Sequence, residues 1–154
     1  MTAAHLIPLL DLSNPEAPLI RHGDTLISRA RFAAAVLELA ARLPTRGRVL
    51  NACQTRLGFC IALAASALAG RTCLLTGHDG LHGFALPPDG DITVLSEGVE
   101  ADITVPTALP AQGVTTLPTV PTDRVVAVVH TSGSTGQPQA HAKTWHALWH
   151  AGRQ

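Results

Sequence analysis

Arg48-Val49-Leu50-Asn51-Ala52 reads as a strand led in by Gly47, and Thr72-Cys73-Leu74-Leu75 reads as a second strand a short way on. Between them, Thr55 to Ala69 is almost wholly apolar, and Gly70 follows it as a C′ glycine would. That stretch is long enough for roughly four helical turns. Strand, long helix, strand in this order is a βαβ unit, so the two strands lie parallel and the helix crosses one face of their sheet. The predicted fold class is therefore α/β: three layers, with a largely parallel sheet flanked by helices.

The neighbouring segments extend this unit. Upstream, Thr25 to Ile27 reads as a short strand, and Ser28 is the N-cap of a helix running to about Leu43. Phe32, Val36, Leu39, Ala40 and Leu43 share one face of it, and Pro44 ends it. Residues 1 to 24 read as irregular. Downstream, 76 to 90 has no clear period, with a helix one option. Asp91 to Leu95 and Ile103 to Val105 read as short strands, and Pro106 to Pro121 as linker. Arg124 to His130 then gives a strand apolar at Val125, Val126, Ala127, Val128 and Val129, the pattern of a central strand covered on both faces. A glycine-rich loop follows, and from about Ala142 the sequence reads as helix.

Composition narrows the function classes. Lys plus Arg and Asp plus Glu stand at 11 each in 154 residues, so nothing electrostatic points to nucleic acid or anionic lipid. Aromatics make up 3% of the chain, which leaves a core of Ala, Leu, Val and Ile. Cys53, Cys60 and Cys73 have no CxxC spacing and read as buried thiols. Met1 to Leu10 has no basic residue ahead of its apolar ones, unlike a secretory signal. The longest apolar run, Leu57 to Ala69 between Arg56 and Arg71, falls short of the ~20 residues of a membrane span. A cytoplasmic location is the expectation.

The chemistry is carried by Thr131-Ser132-Gly133-Ser134-Thr135-Gly136-Gln137-Pro138, directly after the strongest strand. Glycines let backbone N–H groups converge and let an anion approach without meeting a Cβ. Hydroxyls add donors that rotate onto phosphate oxygens. A helix starting downstream would add its positive end, worth a few tenths to about 1 kcal/mol per surface charge. By composition alone an ordinary polar loop fits equally well. Other nucleotide loops fit poorly. Gly136 is followed by Gln137 instead of the Lys of a Walker loop. The turn after the first strand, Cys53-Gln54-Thr55-Arg56, lacks the glycines of a dinucleotide fold. No serine in the loop sits in a Gly-x-Ser-x-Gly elbow.

Val129 to Pro138 resembles the phosphate-loop signature of the adenylate-forming superfamily, which includes acyl-CoA synthetases, luciferases and peptide-synthetase adenylation domains. The opening strands and Ala-rich helix, Asp24 to Leu75, also look like the start of that family. The resemblance implies that residues 1–154 are an incomplete N-terminal, AMP-binding domain, without the C-terminal remainder and lid domain. It implies ATP with Mg as cofactor, a carboxylic acid as substrate, and coenzyme A or an acyl-carrier protein as thiol acceptor. Thr131, Ser132, Gly133, Ser134, Thr135 and Gly136 would hold the β- and γ-phosphates. No catalytic residue or metal ligand carries over. The family's usual Lys after the loop proline is Gln139 here, with Lys143 four residues on as a partial substitute or a solvated helix residue. Lys143-Thr144-Trp145 looks like the branch that activates acids for carrier proteins. A small phosphate-binding module and a non-catalytic truncated remnant are the alternatives.

The remaining candidates have blander readings. His146 and His150, and likewise His78 and His82, stand at i, i+4 with no third metal ligand specified. His130 reads as a packed strand-end residue, and Trp145 and Trp149 as the residues that pack the last helix onto the sheet.

Overall fold

The computed structural model describes residues 5–75, 90–132 and 138–153. In chain order the elements are β1 (Leu6–Pro8), β2 (Pro18–His22), β3 (Thr25–Ser28), α1 (Arg29–Arg42), β4 (Arg48–Asn51), α2 (Arg56–Leu68) and β5 (Cys73–Leu75). They continue with β6 (Ile92–Ser96), β7 (Ile103–Thr104), β8 (Thr119–Pro121), β9 (Val125–Ser132), β10 (Pro138–Thr144) and α3 (Trp145–Ala151). A six-stranded sheet runs in the order β10-β9-β5-β4-β6-β7. Every neighbouring pair in it is parallel except β9 with β10. The α/β class with a largely parallel sheet flanked by helices therefore holds, and the three strands read from the sequence lie side by side in one sheet.

The local signals explain the central elements. Ser28 caps α1 by accepting a hydrogen bond from Arg31 N at 3.3 Å, and Thr55 caps α2 by accepting from Gly58 N at 3.0 Å. Gly70 ends α2 at φ 71°, a conformation costly for any residue with a Cβ. Val49 and Leu50 are adjacent on β4 and both fully buried, so this strand is covered on both faces. Val49, Cys73 and Leu95 join the core formed with Val36 and Leu39 of α1 and Ile61 and Ala65 of α2. Small alanines at the contact let α1 and α2 approach closely.

Three expectations need correction. Residues 1–24 contain two strands, β1 and β2, paired with β8 and β3. Their prolines, Pro8 and Pro18, sit at strand ends, where a missing donor costs no ladder bond. The stretch 106–121 is no free linker. Arg31 Nε donates to Pro110 O at 3.0 Å, Val114 N donates to Ala30 O at 3.0 Å, and β8 closes on β1. The segment straps the start of α1, and a Cβ at Gly113 would overlap Ala30.

The third correction is at the end of the chain. The sequence after the loop is a strand, β10, through Thr144, and helix begins only at Trp145 with Thr144 as its N-cap. Pro138 to Thr144 has little β propensity, but β5 pairs only one edge of β9, and an added strand satisfies the backbone groups of the other. The segment 76–90, with its optional helix and the His78–His82 pair, lies outside the described residues but for Gly90.

Candidate functional site

Strand β9 and strand β10 form an antiparallel hairpin. Ser132 pairs with Pro138, Thr131 with Gln139, and Lys143 with Ala127. The backbones of Thr131 and Ser132 finish β9, while Gly133, Ser134, Thr135, Gly136 and Gln137 lie outside the described residues. Because β9 runs parallel to β5, the hairpin's turn is delivered to the carboxyl edge of the parallel strands. Ligands of open α/β sheets bind beyond that edge. No helix follows the turn directly, so the positive helix end expected there contributes nothing. A phosphate site at this turn would have to draw its donors from backbone N–H groups and hydroxyls.

The hairpin register separates the two accessory candidates. Gln139 is exposed at the base of the turn. Lys143 is exposed too, but it is a strand residue and stands four positions further along β10. At about 3.4 Å per residue it is roughly 14 Å from Gln139, beyond the reach of its own side chain. The nearest ionisable group on that face of β10 is His141, two positions from Gln139. Sequence reasoning passed it over, because its place on the same face as Gln139 appears only once residues 138–144 are known to alternate as a strand.

The sheet has a second place where a phosphate is often held, the turn from β4 into α2. The chain steps from β4 to β5 on one side and returns to β6 on the other, so the strand order reverses between β4 and β6. Here that position is taken by the protein itself. Glu97, just after β6, accepts hydrogen bonds from Gln54 N at 2.9 Å, Thr55 N at 3.1 Å and Thr55 Oγ1 at 2.6 Å. Partial burial pushes the Glu97 carboxyl up. Bonds from the Thr55 hydroxyl, the Gln54 and Thr55 amides and its own amide outweigh this and hold it below the ordinary value. The absent glycines of a dinucleotide turn were legible in the sequence. The carboxylate that fills the helix end was not, since it comes from 42 residues downstream. Asn51, nearly buried, shapes the same turn by donating to Phe59 O at 3.0 Å and accepting from Cys53 N at 3.2 Å.

The other candidates resolve simply. Cys53, Cys60 and Cys73 are free thiols. Burial, the main cause, pushes Cys53 and Cys73 up to about 12 and raises Cys60 as well, so all three are poor nucleophiles. The rings of His146 and His150 meet edge-on at 4.4 Å. Among the described residues no three His, Cys, Asp or Glu side chains come together in a form able to hold a metal. Half-buried His130 pairs with Ala140 across the hairpin, within β9 and not at its end. Trp145 packs toward Val126 as expected. Trp149 does not; its ring lies under the Arg153 guanidinium at 4.5 Å. No described helix is long and apolar enough to cross a membrane.

No family model matches the sequence, and no curated protein sequence matches it significantly. Solved structures do match the fold. The o-succinylbenzoate coenzyme A synthetase MenE of Bacillus subtilis, in complex with ATP and magnesium ion, superposes with a TM-score of 0.72 at 18% identity, over 96% of this chain and 46% of that one. A malonyl-CoA ligase with methylmalonyl-CoA and AMP bound gives 0.64 at 24% identity, over 94% and 33%. The Klebsiella oxytoca NpsA N-terminal subdomain, with 3-hydroxyanthranilyl-AMSN, gives 0.59 at 17% identity, over 85% and 37%. The chain thus spans between a third and a half of the length of these structures. It carries the fold of the N-terminal part of the adenylate-forming ligases.

Proposed function

We propose that this chain is the N-terminal part of an ATP-dependent acyl-adenylating ligase and that it holds the pyrophosphate end of ATP. Thr131, Ser132, Gly133, Ser134, Thr135 and Gly136 form the cradle. The observation that carries the proposal is the conjunction of this loop signature with a hairpin whose turn stands at the carboxyl edge of a ligase-like sheet. The Glu97 bonds support it, because they leave the β4–α2 turn no free end for phosphate.

In the complete ligase a carboxylate oxygen attacks the α-phosphorus of ATP, the bond to the β-phosphate oxygen breaks, and pyrophosphate leaves with that electron pair. The acyl-AMP then passes its acyl group to the thiol of coenzyme A or of a carrier protein. The cradle's part is to orient the leaving group and spread its charge over N–H and O–H donors, with no covalent role for a serine. Magnesium would accompany the triphosphate; among the described residues no cluster of His, Cys, Asp or Glu side chains could hold it. A cytoplasmic site of action belongs to the same proposal.

Titration calorimetry of the 154-residue chain with pyrophosphate and with MgATP tests it, alongside ATP–pyrophosphate exchange over a panel of carboxylic acids. Saturable binding with exchange at background is expected, since only one of the two reacting groups has a site among these residues. Absence of binding sinks the phosphate assignment. Brisk exchange overturns the view that this portion alone is incomplete.

A further inference from the structure

On the α2 side of the sheet, at the far end of β9 from the hairpin turn, lies a half-open cavity of about 330 Å³. Its described wall draws on β2, on Leu9 ahead of it, on Phe32 of α1, Cys60 and Ala64 of α2, Val126 of β9 and Trp145 of α3. Val126 sits there because the β9–β10 ladder slips between Lys143 and Thr144, leaving it outside the register and fully buried.

The described wall offers almost nothing to a polar group. The Trp145 indole Nε1–H already donates to Ile7 O at 3.4 Å. Burial keeps the Cys60 thiol neutral. A charge placed there would lose its hydration and gain no partner. The void is roughly twice the ~150 Å³ that suffices to take up benzene in an apolar interior. A hydrocarbon guest against this wall would gain many small dispersion contacts that sum to a useful attraction.

We propose that this cavity is a binding site for an uncharged hydrocarbon group of about the bulk of two fused aromatic rings. It is separate from the phosphate cradle. Val126 and Thr131 are five residues apart on β9, about 17 Å at strand spacing, too far for a guest in the cavity to present a carboxylate to a phosphate at the turn. The inference therefore stands or falls apart from the ligase proposal.

The test is a fluorescence titration of the full chain with N-phenyl-1-naphthylamine, a neutral probe. One-to-one saturation is expected, with displacement by 1-decanol and none by pyrophosphate. Ala64→Leu places a larger side chain in the void and should weaken the probe at least tenfold while leaving the melting temperature equal or higher. If that variant fails to fold, Leu148→Trp fills the same cavity from α3 and carries the comparison. Val99→Ala, at a fully exposed position, should leave binding unchanged. Non-saturating uptake, displacement by pyrophosphate, or equal affinity in the cavity-filling variant overturns the assignment.

Discussion

Gly133→Val should weaken pyrophosphate binding at least tenfold, the largest effect expected at the hairpin turn. A loop that cradles an anion through converging N–H groups has no room for a β-branched side chain in the anion's path. With no helix end behind the turn, each N–H lost is a large share of the total attraction. Tenfold corresponds to about 1.4 kcal/mol, roughly one hydrogen bond to a charged group. Gln139→Lys should act the other way. Charge-assisted bonds are about twice as strong as neutral ones, but Gln139 is exposed, so a gain of about 1 kcal/mol is the upper end and should shrink as salt rises. Lys143→Ala, roughly 14 Å down the strand, should change nothing. Calorimetry on the three variants against wild type separates these outcomes; equal pyrophosphate affinity in wild type and Gly133→Val would show that the turn is not the phosphate site.

The βαβ unit and β9 were legible because their signals are local and strong. Ser28, Thr55 and Gly70 are capping residues in the right places, and Val125 to Val129 is apolar enough to read as a strand. It is not covered on both faces throughout, however: it lies next to the edge strand β10, with Val125 exposed and Val128 and Val129 half-buried. The strands that sequence reasoning missed are those whose formation depends on a remote partner. Leu6–Pro8 is a strand because Thr119–Pro121 lies beside it, more than a hundred residues later. Pro138–Thr144 is one because β9 has an unpaired edge. Propensity is a weak guide in such strands, where packing and pairing decide.

The same division applies to the site. The loop signature could be read directly, and it suggested the family whose fold the chain has. What surrounds it could not. Whether helix or strand follows Pro138 decides whether a dipole helps bind phosphate, whether Lys143 is near the turn, and whether His141 is its neighbour. None of these follows from composition. The α2 end is similar: a helix beginning at Thr55 was legible, but the carboxylate that closes it stands just after β6 and arrives through the sheet register.

Gly58→Ala should destabilise the wild-type chain by about 1 kcal/mol, yet stabilise a Glu97→Ala chain by a similar amount. Inside a helix, alanine is favoured over glycine by about 1 kcal/mol. Gly58 stands in the first turn of α2, where a Cβ would overlap the Glu97 carboxylate and press on Thr55 Oγ1 at 3.1 Å. That carboxylate ends a flexible side chain and can swing away, but doing so breaks its bonds to Gln54 N, Thr55 N and Thr55 Oγ1. Each would be worth up to about 3 kcal/mol if buried. Glu97 is half-buried, and water replaces part of what is lost, so about 2 kcal/mol for the set is reasonable. The carboxylate bonds outweigh the helix gain while Glu97 is present; with Glu97 removed, only the gain is left. The coupling energy from a double-mutant cycle should thus be about 2 kcal/mol. Its pH dependence follows from the lowered Glu97 pKa. The contribution is complete above the unfolded value near 4.5 and is lost as pH falls through the lower folded value. The penalty of Gly58→Ala should therefore shrink in acid. Urea midpoints of the four chains at neutral pH and near pH 3 measure all of this, and a Gly58→Ala effect of the same sign in both backgrounds would show that glycine is not there to admit the carboxylate.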